Sequence, residues 1–136
     1  MITLGITDLE RSVRFYEALG WKRSASSVEG EIYWFTTVDS VLGLWPHDKL
    51  GADAMVPAEE PPGFRGVTLA ICLESEDAVE TAMRDALAAG ASVVKPPERA
   101  DWGGYSGYFA DPDGHLWELA YNPHFVLTEE GQLDLP

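Results

Sequence analysis

The chain has 136 residues and a formal net charge of -14, with 46% hydrophobic and 24% charged residues. That length fits one domain able to bury a core, and the composition is ordinary for a soluble globular protein. So acidic a chain repels phosphate backbones and anionic lipid, which argues against nucleic acid and membrane surfaces as partners.

The single cysteine, Cys72, rules out an intrachain disulfide and a cysteine-rich zinc site. Its place in the apolar run VTLAICL predicts a buried, inert thiol. No apolar stretch is long enough to span a bilayer. The first residues show no basic region leading into an apolar signal core, so the expected compartment is the cytoplasm.

In chain order, residues 2–6 (ITLGI) read as a short strand. Thr7 with Glu10 three positions on is a capping-box pattern, and Leu9, Val13 and Tyr16 follow at the spacing of an amphipathic helix. Gly20 supplies its stop. Residues 21–26, 31–37 and 40–45 are rich in aromatic and β-branched types and predict three strands. Val28-Glu29-Gly30 and Val38-Asp39 are their turns, and Pro46 closes the last. Residues 47–65 hold Pro57, Pro61, Pro62, Gly51 and Gly63, and read as a connector without a further element. Its length points to a function or to a join between two units.

The second half repeats the first. Residues 67–71 read VTLAI against ITLGI, and Ser75 caps a helix with Glu76 and Asp77 in its first turn. Val79, Ala82, Met83, Ala86 and Leu87 form its apolar stripe, and Gly90 stops it as Gly20 stopped the first. Residues 92–95, 104–110 and 115–121 predict three strands, the last two joined by the tight turn DPDG at 111–114. The reading is therefore a duplicated α+β unit in one domain: module one 1–46, connector 47–65, module two 66–123. Residues 124–136 form an acidic tail, loosely ordered or packed on a partner.

Two runs carry a resemblance. TDLERSVRFYEALGW resembles the first-helix signature, and GYFADPDGHLWELAYNP the final hairpin, of the glyoxalase/bleomycin resistance protein/dioxygenase (vicinal oxygen chelate) superfamily. Each lies in its expected module, and the likeness spans essentially the whole chain. It implies paired βαβββ modules with curled mixed sheets around a shared cavity, often in a homodimer. The superfamily spans lyases, dioxygenases, epimerases and metal-free binding proteins, so fold does not choose the function.

Enzymes of the superfamily hold a divalent metal with His, Glu or Gln from the first and last strand of each module. Matching the motifs puts these positions at Met1, at Gly43, within residues 66–68, and at Glu118. A lone carboxylate holds no metal, so the sequence predicts none in the standard site and no other cofactor. His47, His115 and His124 lie outside these positions and read as surface or turn histidines.

Glu118 shares a strand face with Leu116 and Ala120, where an unpaired buried carboxylate could act as a general base or hydrogen-bond acceptor. The alternative is a structural relic, paired or solvated. Trp34, Trp45, Trp102, Tyr105 and Tyr108 supply flat rings for an organic ligand with an apolar or aromatic part, with Trp45 and Trp102 preferred. Core packing accounts for at least half of these rings and Trp117 together, Trp117 first. The leading expectation is metal-independent binding of such a ligand, with Trp34, Trp45, Trp102, Tyr105 and Glu118 as its contacts. Its rivals are a glyoxalase-like lyase or isomerase using Glu118 as base, with or without an unusual metal, and a protein-interaction module with a vestigial cavity.

Overall fold

A computed structural model describes residues 1–59 and 63–134. Pro61 and Pro62 of the expected connector and Pro136 of the tail lie outside them. The chain divides into two compact units, Met1–Val67 and Thr68–Pro136, and each is α+β with a mixed sheet.

The first unit runs β1 (Ile2–Ile6), α1 (Leu9–Ala18), β2 (Tyr33–Thr36), β3 (Val41–Pro46) and α2 (His47–Asp53). Its sheet has the order β1-β3-β2, with β1 parallel and β2 antiparallel to β3. Alternation sends Leu4, Ile6, Tyr33, Phe35, Leu42 and Leu44 to one face, where they are buried with Val13, Phe15 and Tyr16 of α1. Each such large side chain contributes about 1.5–3 kcal/mol on leaving water. Tyr16 packs tilted on Phe35 and Trp21, with ring centroids 5.8 and 5.4 Å away.

Three expectations for this unit need correction. The cap of α1 is Asp8, not Thr7: its carboxylate accepts the Arg11 amide at 3.0 Å. Residues 21–26 do not form a strand; only Arg23 bridges Phe35. The serines there bond locally, with Ser26 N donating to Ser24 Oγ and Ser27 N to Ser24 O, and this competes with a ladder. Residues 47–53, assigned to the connector, form α2. Proline and glycine further on hid a short helix that starts directly after Pro46.

The second unit runs β4 (Leu69–Cys72), α3 (Glu76–Ala89), β5 (Ser92–Arg99), β6 (Tyr105–Ala110) and β7 (Leu116–Tyr121), then the small hairpin β8 (Val126–Leu127) and β9 (Leu133–Asp134). The sheet order is β4-β7-β6-β5, and β4 lies parallel to β7. Ser75 caps α3 as expected, its hydroxyl accepting the Ala78 amide at 3.1 Å, and Gly90 ends it at φ 112°. Val79, Met83 and Ala86 are buried, whereas Leu87 at the stripe's margin stays exposed. Phe109 and Trp117 stack beneath at 6.3 Å, so Trp117 is a core residue as expected.

Strand β5 continues through Pro96 and Pro97, beyond the expected end at Lys95. An edge strand tolerates proline, and the register shift between Lys95 and Glu98 absorbs them. Gly107 permits this approach, since a Cβ there would lie 2.8 Å from Pro97 N. In the 111–114 turn, Asp111 accepts the Asp113 and His115 amides at 2.9 and 2.8 Å. The tail, expected as loosely ordered or partner-bound, contains the β8–β9 hairpin.

Candidate functional site

In each sheet the face opposite the helix-packed core carries the residues at which a site could be built. On the first sheet, alternation gives that face Thr3, Gly5, Trp34, Val41, Gly43 and Trp45. The register sets Thr3, Gly43 and Trp34 in one row across the three strands, and Gly5 beside Trp45 in the next.

Both glycines on this face are covered by a ring from elsewhere. A Cβ at position 43 would lie 2.6 Å from Trp34 Cζ3 and 3.3 Å from Thr3 Oγ1. The indole thus lies across the Gly43 backbone, in the space that a side chain at 43 would need. A Cβ at position 5 would lie 2.7 Å from His47 Nδ1. His47 opens α2, which packs on β1 and β3. Its Nε2 is screened from solvent and has no hydrogen-bond partner among the described residues.

On the second sheet the corresponding face holds Ala70, Cys72, Ser106, Tyr108, Ala110, Leu116, Glu118 and Ala120. Ala70, Glu118, Tyr108 and Lys95 form one row across its four strands. Glu118 is half-buried and accepts a hydrogen bond from the Tyr108 hydroxyl. Burial first, then that bond and the Glu118 charge, push the Tyr108 phenol above its ordinary range. The Cys72 thiol is raised by burial and by Glu118 as well, which keeps it protonated and unreactive. It is half-buried on this face, less enclosed than expected.

Trp34 and Trp45 share the first sheet's face, and Glu118 stands on the second's. Tyr105 and Trp102 stand on neither of these faces. Tyr105 lies an odd number of positions from Tyr108, so it faces the helix side, and its hydroxyl bonds Glu80 of α3. Trp102 is 59% exposed in the β5–β6 loop, its indole over Gly104. Tyr108, by sequence one ring among several, is the direct partner of Glu118. The sequence reads His47 as a surface or turn histidine; its two-residue offset from Trp45, continuing the strand's alternation, is the signal that points to this face. His115 and His124 sit at turns, their amides bound by Asp111 and Asn122.

The sequence profile of the glyoxalase/bleomycin resistance protein/dioxygenase superfamily matches residues 1–119. The chain belongs to this superfamily. Among solved structures, a glyoxalase-related enzyme from Fulvimarina pelagi is 37% identical with a TM-score of 0.87, covering 98% of this chain and 94% of its own. A glyoxalase/bleomycin resistance protein/dioxygenase from Nocardioides is 33% identical with a TM-score of 0.72, covering 88% and 80%. A lactoylglutathione lyase from Agrobacterium tumefaciens shares the fold at 20% identity and a TM-score of 0.65, covering 90% and 92%. No curated protein matches the chain.

The superfamily's metal positions fit a cation poorly here. Met1 is 77% exposed and offers only a thioether. Gly43 has no side chain, and the Trp34 ring occupies the space of one. Residues 66–68 are Gly, Val and Thr, all exposed ahead of β4. Glu118 alone is a normal ligand, and it is engaged by Tyr108. No group of three or more His, Cys, Asp and Glu converges among the described residues.

Proposed function

We propose that this superfamily member binds a small organic molecule with an apolar or aromatic part, without a metal, on the Trp34–Trp45 face. The observation that carries the reading is the Trp34 ring over Gly43: an indole stands where a metal ligand would be needed. Flat rings with few polar groups around them suit an apolar or aromatic guest. A homodimer and a cytoplasmic location belong to the same reading.

A second reading has its own support. Glu118 holds the Tyr108 hydroxyl, and a carboxylate beside a phenol is a pair that can accept and return a proton. The 37% identical Fulvimarina protein is described as an enzyme. In this reading the chain is a lyase or isomerase with Glu118 as base.

Calorimetric titration with a panel of aromatic compounds separates them. Binding is expected to survive a chelator and to weaken about tenfold in Trp45→Ala, the scale of one lost aromatic contact. Binding abolished by the chelator would overturn the metal-free reading. Turnover lost in Glu118→Gln with affinity intact would establish the second.

A further inference from the structure

On the first sheet's face His47 Nε2 is a buried polar atom with no hydrogen-bond partner among the described residues. Buried polar atoms are almost always hydrogen-bonded, and an orphan among them calls for an explanation. The imidazole is held over Gly5, whose missing side chain makes room for it. Gly5 pairs with Trp45, and Thr3, two residues along the same strand, pairs with Gly43 under the Trp34 ring. The unpaired nitrogen and the two indoles therefore belong to one sheet face in one unit.

We propose that His47 Nε2 is the hydrogen-bonding anchor for the ligand, and that the ligand is an aromatic ring bearing a hydroxyl group. This rests on the aromatic-binding reading above and adds the polar half of the recognition. A neutral imidazole nitrogen is either donor or acceptor according to tautomer, and a hydroxyl satisfies both. An aromatic ring supplies the flat surface that Trp34 and Trp45 match. Solvent does not reach Nε2 in this state, so the ligand enters as the imidazole swings or α2 lifts. Helix α2 has seven residues and no side-chain cap, so few interactions of its own resist that movement.

Phenol and toluene test this, since they differ by the hydroxyl that the anchor needs. In the wild-type chain phenol should bind about tenfold more tightly than toluene, the scale of one buried hydrogen bond. The nitrogen resonance of His47 Nε2 should shift with phenol and not with toluene. In His47→Leu, toluene affinity should persist while the preference for phenol disappears. Gly5→Ala, which displaces the ring without removing it, should lose the preference as well. Urea unfolding of each variant separates loss of fold from loss of the anchor. An equal preference for phenol in wild type and in folded His47→Leu, with both compounds bound, would overturn the anchor and leave the aromatic reading standing. Absence of binding by either compound to the wild type would overturn both.

Discussion

At the Tyr108–Glu118 pair burial first, then the hydrogen bond to Glu118 and its charge, set how the phenol titrates. The folded phenol keeps its proton to higher pH than the unfolded one. The stability this contributes is complete below the ordinary tyrosine value of about 10, and is lost as pH rises through the higher folded value. Spectrophotometric titration should show Tyr108 ionising at lower pH in Glu118→Gln, while remaining above the ordinary value because burial persists. An identical titration in both chains would mean that Glu118 does not hold the phenol. Alternation alone placed Glu118 on its face, but naming its partner required the β6–β7 register, which pairs it with Tyr108 and not Tyr105. The same limit explains His47: residue type and exposure statistics say surface, the offset from Trp45 points the other way, and the approach to Gly5 decides between them.

The two long helices were legible because their signals are local. Ser75, its acidic first turn and Gly90 lie within a few residues of the ends they define. Ser75→Ala should therefore cost about 1 kcal/mol in urea unfolding, with the slope unchanged. A loss near zero would mean that the Ala78 amide finds another acceptor. The capping-box pattern pointed to Thr7, one residue early; backbone geometry put the cap at Asp8. Strand β5 shows the converse error. Proline ends a strand that needs the lost donor, but an edge strand with shifted register does not need it, and edge position is a property of the sheet.

Across the chain the dominant charge term is the excess of 23 acidic over 9 basic residues, a net charge of -14. Ion pairs such as Lys95–Glu98 and Arg23–Glu17 are exposed and offset little of this repulsion. Raising ionic strength from a few millimolar to about 0.15 M shortens the screening length to about 8 Å, and should raise the melting temperature. A fall in melting temperature over that range would show that attractive pairs outweigh the net repulsion. Composition, alternation, the repeated order of elements and the two family signatures were sufficient by themselves for the α+β class and for superfamily membership. Each is a property of neighbouring residues or of their spacing, and spacing survives without coordinates. What stands over a glycine is different. Trp34 reaches Gly43 across an antiparallel pairing, and His47 reaches Gly5 across a parallel one, because the strand register brings them together. Register is set by contacts between distant segments, so the filling of those two spaces was decided by tertiary structure alone.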